Sequence, residues 1–316
     1  MSFTLLLPIF LLAGLGALLV KLPWLKPGWH AGVTELTARF LVPALLFASA
    51  WRTGIPPSLS WKVLCAFYLP LGLLFVAARW VAQRGAGGAG AGMGAPAALA
   101  ATYSNTVFVG VPVLVQVLGA GSLQFAYPVI AFHSLFCFTL YHLSADGAPA
   151  GRFGRFGRFG PLLSTLKNPI VAALLLGLAL NLAHVTLPAP LLRVLDLLGA
   201  AALPCALLSL GASVASVATV APGRWRRTGV IVLAKLVLLP LGVMALSVFV
   251  FGLPMPAAAV LVVLASCPVG INAAFVVNPA GGGAQLVNSA ILLSSLLCAA
   301  TMPAWLWALR HLPAHQ

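Results

Sequence analysis

Apolar runs of bilayer length follow one another from end to end of this chain, and most charges fall in the short tethers between them. A helix needs about 20 apolar residues to cross the hydrocarbon core, and by that rule about ten runs qualify. They cover residues 3–20, 32–50, 61–81, 96–118, 123–143, 166–184, 191–217, 228–251, 255–277 and 285–309. Only 6% of the 316 residues are charged and 62% are hydrophobic. Soluble domains carry roughly a quarter charged residues, so the chain reads as an all-α membrane protein.

The charge balance narrows the partners. The acids are Glu35, Asp146 and Asp196, so the formal charge of +14 reflects missing acids as much as the 17 bases. Those bases sit mostly in tethers, which makes nucleic acid a poor partner and membrane lipid the natural one. The five cysteines lie inside apolar runs with no CxxC spacing and read as small packed side chains, with no metal or other cofactor expected. The first run has no basic leader, so no cleavable signal is expected.

Two of the runs are chemically interrupted. Residues 101–114 carry Ser104, Asn105, Thr106, Gly110 and Pro112, and residues 264–276 carry Ser266, Pro268, Gly270 and Asn272. Proline lacks a backbone donor and clashes with the preceding turn, so each helix is expected to break or kink just before Pro112 and Pro268. In lipid, broken backbone survives only when buried in protein or lining a wet cavity. A pair of interrupted spans, one in each half, points to a transporter's binding site.

Orientation follows from the bases. Lys21, Lys26, Arg79, Arg84, Arg152, Arg155, Arg158, Lys167, Arg224, Arg226 and Arg227 border one face, and Arg52, Lys62, Arg193 and Arg310 the other. The richer face is expected in the cytoplasm, leaving both termini outside. The central tether holds a threefold Gly-Arg-Phe repeat, at Arg152, Arg155 and Arg158. It reads either as a low-complexity linker or as a strip lying on anionic headgroups.

An internal repeat is also legible. Pro8 and Pro169, Gly16 and Gly177, Glu35 and Asp196, and Pro43 and Pro204 all stand 161 residues apart. Five spans per unit is an odd number, so the second unit would enter from the opposite side. The expectation is ten transmembrane helices as two inverted five-helix repeats.

Asn105-Thr-Val-Phe-Val-Gly-Val-Pro112 resembles the Asn-Thr-x-x-x-Gly-x-Pro signature of the auxin efflux carrier family, which includes plant PIN carriers and bacterial malonate-type permeases. Ala265-Ser-Cys-Pro-Val-Gly-Ile271 is similar to that family's second crossover. Lys167-Asn-Pro-Ile170, Phe40-Leu-Val-Pro-Ala-Leu-Leu-Phe47 and Leu203-Pro-Cys-Ala-Leu-Leu-Ser-Leu-Gly-Ala212 also resemble its patterns. The resemblance implies broken helices 4 and 9 that cross, and an elevator-like motion of a transport domain against a scaffold. On that pattern, 1–59 and 164–222 hold scaffold helices 1–2 and 6–7. Residues 60–145 and 223–316 hold transport helices 3–5 and 8–10, and 146–163 form a cytoplasmic linker. The long hydrophilic loop of many plant PIN carriers is absent.

The implied cargo is a small organic anion, either auxin-like or a mono- or dicarboxylate. Two half-helix N-termini meeting at mid-membrane would present about half a positive charge each and free amides. Asn105 is the first candidate contact, at the motif position where the resemblance places a substrate-contacting asparagine, and Asn272 is the second. Each could instead cap broken backbone. Ser104, Thr106, Ser266 and Tyr103 are candidate rim contacts, with Pro112, Pro268 and Gly270 shaping the site. His133 reads either as a packed histidine or as a proton-coupling group. Glu35 and Arg39, four apart, and Arg193 and Asp196, three apart, read as structural ion pairs. Arg39 could alternatively draw anions into a vestibule.

The reading is therefore a secondary transporter in the plasma (bacterial inner) membrane, with H⁺ or Na⁺ as candidate coupling ion and a homodimer as a candidate assembly. The alternative is a sodium-coupled symporter of bile-acid type, which no acid near either interruption supports. An enzyme is not expected. No HExxH or paired aspartates occur, and His133 beside Ser134 is the only hint of a nucleophile–base set. An anion channel differs from a carrier only kinetically.

Overall fold

In the computed structural model the described residues are 7–23, 25–26, 28–53, 61–84, 92–144, 169–216, 225–277 and 282–311. The Gly-Arg-Phe repeat, Asp146, Lys167 and most of the Gly-rich tether after Arg84 lie outside them. Among the described residues every named element is helical.

In chain order, α1 is Leu7–Leu19, and α2 runs from Trp29–Leu36 through Thr37–Leu41 into Val42–Thr53. Then come α3 (Trp61–Arg84), α4 (Gly94–Thr102), α5 (Thr106–Leu118), α6 (Leu123–Ser144), α7 (Pro169–Leu182) and α8 (Ala189–Ser216). They are followed by α9 (Trp225–Val250), α10 (Met255–Ser266), α11 (Ala273–Val276) and α12 (Gly282–His311). Six of these, α2, α3, α6, α8, α9 and α12, are long and apolar enough to cross a membrane. Leucine, phenylalanine and tryptophan side chains such as Leu73, Leu197, Phe249 and Trp307 are exposed on them, as lipid-facing helices require.

Three prolines share one local solution. Pro43, Pro112 and Pro240 each stand two residues after a five-residue π-helical segment, at Thr37–Leu41, Thr106–Gly110 and Ala234–Leu238. Proline cannot donate to the carbonyl four residues back, and its ring collides with it. Widening the preceding turn removes the collision without ending the helix. The carbonyl of Leu236, four residues before Pro240, instead accepts a hydrogen bond from Trp305 Nε1 at 2.8 Å.

The first interruption is therefore not where the proline rule put it. α4 ends at Thr102, Tyr103–Asn105 are extended, and helix resumes at Thr106, well ahead of Pro112. Pro112 lies buried near the start of a regular helical stretch. At the second interruption the rule holds. α10 stops at Ser266, and Cys267–Gly270 are extended with Pro268 among them.

The chain divides into two compact units. The first comprises residues 1–60, 107–131 and 164–216. Here α1 packs on α8 and α7 on α2 through glycines that let backbones touch. A Cβ at Gly16 would meet the backbone of Leu208, and one at Gly177 would meet the backbone of Phe47. Gly211 is closed off by the backbone of Ala13 in the same way. Ion pairs join Glu35 to Arg39 at 3.1 Å and Arg52 to Asp196 at 2.7 Å. The first is the pair its spacing suggests. Asp196 takes Arg52 from another helix, and not Arg193, as its ion-pair partner.

The second unit comprises residues 61–106, 132–163 and 217–316. Its core is dense in small side chains. All nine residues of α4 are buried, as are nine of the twelve in α10. Nine and twelve residues of helix rise about 14 and 18 Å, roughly half the hydrocarbon thickness. α4 and α10 are thus half-spans whose broken ends lie inside protein.

Candidate functional site

Both interruptions fall in the second unit, and they meet there. Ser104 and Val269 form an isolated antiparallel bridge. The Asn105 amide donates to the Pro268 carbonyl at 2.8 Å, and the Gly270 amide donates to the Tyr103 carbonyl at 3.1 Å. Each broken strand thus supplies part of the hydrogen bonding that the other lost. That is the condition under which non-helical backbone persists at membrane depth.

Several further backbone groups at this junction are matched. The Ser104 amide donates to His133 Nε2 at 2.9 Å, the Thr106 amide to the Ser104 carbonyl at 2.9 Å, and the Val269 amide to Ser294 Oγ at 3.0 Å. On the acceptor side, the carbonyls of Ala265 and Cys267 receive Lys235 Nζ at 2.6 and 2.7 Å. The Ser266 carbonyl receives Cys298 Sγ at 3.7 Å. A helix leaves its last carbonyls and first amides unpaired, and here side chains from α6, α9 and α12 take up much of that deficit. The amides of Ser104, Asn105 and Thr106 are all engaged, so bare amides at these positions do not hold an anion in this conformation. Side chains and the helix dipole remain.

His133 is fixed by this arrangement. With Nε2 accepting, the neutral ring carries its proton on Nδ1, 3.9 Å from Cys137 Sγ. The ring stacks on Tyr103 with centroids 5.0 Å apart and planes 7° from parallel, and Phe67 meets it edge-on at 5.7 Å. Tyr103 in turn shares a hydrogen bond with Ser134 Oγ at 3.0 Å, and its hydroxyl also reaches Asn272.

The sequence candidates separate accordingly. Ser104, Asn105, Thr106, Ser266, Pro268 and Gly270 are all buried at or beside the junction. Ser104 Oγ is buried with no hydrogen-bond partner among the described residues. Ser266 Oγ donates back to the Val263 carbonyl at 2.9 Å and serves its own helix end. Asn272 is exposed. Pro112 and Arg39 belong to the first unit, where Arg39 is exposed and paired with Glu35. Neither Lys235 nor Ser294 was among the sequence candidates. The one available signal was a lysine, with no nearby acid in the chain, deep in an apolar run.

A cavity of about 640 Å³ lies along α3, α4 and α9, walled by Leu74, Ala78, Met93 and Ala97 with Arg226 and Arg227 beside them. None of the junction side chains lines it.

Helices of membrane length, together with two shorter buried helices joined by paired bare backbone, mark a multi-pass membrane protein. Residues 159–306 match the membrane transport protein family, the domain of the auxin efflux carriers, and the resemblance read from the motifs is shown over that part of the chain. That family is one of transporters and not of enzymes. No curated relative matches the sequence.

Proposed function

We propose that this transporter is a secondary carrier of small organic anions, auxin-like or mono- and dicarboxylate, working by elevator-type alternating access in the plasma (bacterial inner) membrane. The observation that carries the reading is the junction itself. Two interrupted half-spans pair through Asn105–Pro268 and Gly270–Tyr103, and place the Asn105 side chain and the unpartnered Ser104 hydroxyl in one buried locus. An asparagine amide and a hydroxyl can donate to a carboxylate without the cost of a buried charge.

Two further observations support the mechanism. The chain divides into two compact units, which is what motion of one body against another needs. We read the second unit as the moving body and the first as the scaffold. The glycine contacts also repeat. Gly16 against Leu208 and Gly177 against Phe47 are the same contact displaced by 161 residues in both partners. That reciprocity supports two inverted five-helix repeats, and the excess of basic residues on one face supports both termini outside. An inside-negative potential favours exit of a monovalent anion by roughly 2.3 kcal/mol per 100 mV, so export needs no coupled cation.

The test is uptake and counterflow of a panel of labelled mono- and dicarboxylates in proteoliposomes, with pH and Na⁺ gradients imposed separately. The expected result is trans-stimulated exchange of at least one carboxylate. In Asn105→Ala that exchange falls about tenfold, the loss of one to two hydrogen bonds to a charged ligand, with unchanged thermal stability. Exchange without trans-stimulation indicates a channel, and dependence on the Na⁺ gradient indicates the sodium-coupled symporter.

A further inference from the structure

Lys235 is fully buried on the π-helical segment of α9. Among the described residues no carboxylate accompanies it. Glu35 and Asp196 are paired with Arg39 and Arg52, and Asp146 lies outside those residues. Its ionisable neighbours are the thiols of Cys137, Cys267 and Cys298 and the ring of His133. A lysine buried without an acid is costly and survives only with strong local compensation. The compensation is at the broken end of α10. Nζ donates to the carbonyls of Ala265 and Cys267 at 2.6 and 2.7 Å, using two of its three donors. Those carbonyls carry the partial negative charge of a helix C-terminus.

Carbonyls freed at a half-helix C-terminus are the groups that coordinate Na⁺ or H⁺ in transporters built around broken helices. Here a tethered ammonium already sits on them. The carbonyl of the next residue, Pro268, takes the Asn105 amide, so the ammonium also places fixed positive charge beside the junction. We propose that Lys235 is a built-in cation that occupies the carbonyl cluster at the end of α10 in place of an alkali ion, so that the junction holds its geometry, and its anion, without Na⁺. The anion clause rests on the proposed function above, but the occupancy does not.

Two consequences can be measured on the full-length protein. Wild type should show the same thermal midpoint in sodium chloride as in choline chloride, and no saturable binding of radioactive sodium. In Lys235→Ala the cluster loses its cation. Its midpoint in choline should fall by roughly 5 °C or more, and ethylammonium or Na⁺ should restore part of that loss by occupying the vacated space. Lys235→Met has the same loss but fills the space with an apolar chain, and should not be rescued. If Lys235→Ala is recovered from membranes only when ethylammonium is present throughout, that counts as rescue.

Saturable sodium binding by wild type overturns the proposal. So does a Lys235→Ala protein as stable as wild type in choline, a variant that neither cation restores, or equal rescue of Lys235→Met. None of these readouts needs a transported substrate, so failure of every carboxylate in the transport panel leaves this test decisive. Where a carboxylate is transported, its uptake by Lys235→Ala should be cation-dependent while wild-type uptake is not.

Discussion

The Nε2 atom of His133 lies 2.9 Å from the backbone nitrogen of Ser104 and accepts its hydrogen. A ring in the middle of α6 thereby completes the backbone of the first interruption. His133→Leu would leave that amide buried and unmatched, at a cost of about 1–3 kcal/mol. His133→Gln offers a carbonyl oxygen in its place and should cost less. Thermal unfolding of both purified variants measures the difference, and an equal loss would mean that ring packing matters and the acceptor does not. The same pair separates bolt from proton carrier. Nε2 can accept only while the ring is neutral, so uptake by His133→Gln should respond to an imposed pH gradient as wild type does. A response abolished by that change would give His133 a coupling role.

Gly270 is held against Tyr103. Its amide donates to the Tyr103 carbonyl, and a Cβ on it would enter the Tyr103 ring at Cε1 and Cδ1. Tyr103 cannot simply swing away, because its ring is stacked on His133 and its hydroxyl is shared with Ser134. Gly270→Ala should therefore destabilise the protein by about 1–3 kcal/mol, the range for overpacking a filled core, and reduce transport along with it. Gly229→Ala is the control, since nothing lies within 4 Å of a Cβ there. Comparable midpoints for the two variants would show that the junction relaxes around an added methyl.

The glycines of the first unit make a paired prediction. Gly16 and Gly177 stand against the backbones of Leu208 and Phe47, where an added methyl has no flexible side chain to displace. Each alanine substitution should lower stability by roughly 2 kcal/mol or more, whereas Gly14→Ala, with open space around it, should be neutral. Because the two contacts are related by one displacement, the two losses should be similar in size. A large loss at Gly16 beside a negligible one at Gly177 would break the equivalence on which the repeat reading leans.

How much of this was readable beforehand depended on whether the signal was local. Six of the ten expected spans were legible because lipid demands runs of a fixed length and composition; the other four runs hold shorter apolar helices among the described residues. The break at Cys267–Gly270 was legible because Pro268 sits in it. The break at Tyr103–Asn105 was placed too late, because the missing donor of Pro112 is absorbed by the wide turn at Thr106–Gly110. Nothing local marks Tyr103 as extended; it is held so by strand pairing with residues more than 160 positions away. The partners of Lys235, about 30 positions on, and of Asp196, 144 away, were hidden for the same reason. The candidates Asn105 and Asn272 looked alike in sequence and differ in the structure, one buried and one exposed.

Asp196 stands 161 residues after Glu35, yet their salt bridges differ in kind. Glu35 reaches Arg39 one turn along its own helix, and Asp196 reaches Arg52 across to α2 at 2.7 Å. Both side chains of the second pair are about half exposed. Exposed pairs contribute only about 0–1 kcal/mol, so Asp196→Asn and Arg52→Ala should each leave the thermal midpoint nearly unchanged. Exchanging the two residues, Arg52→Asp with Asp196→Arg, should preserve the contact with its sign reversed and behave as wild type in both stability and uptake. The discriminating outcome is in transport. If these carboxylates serve only the first unit's packing, carboxylate counterflow in Asp196→Asn matches wild type. If counterflow falls severalfold while the midpoint holds, Asp196 acts on the moving ion, and the proposed division between a passive scaffold and a carrying unit would have to be redrawn around it.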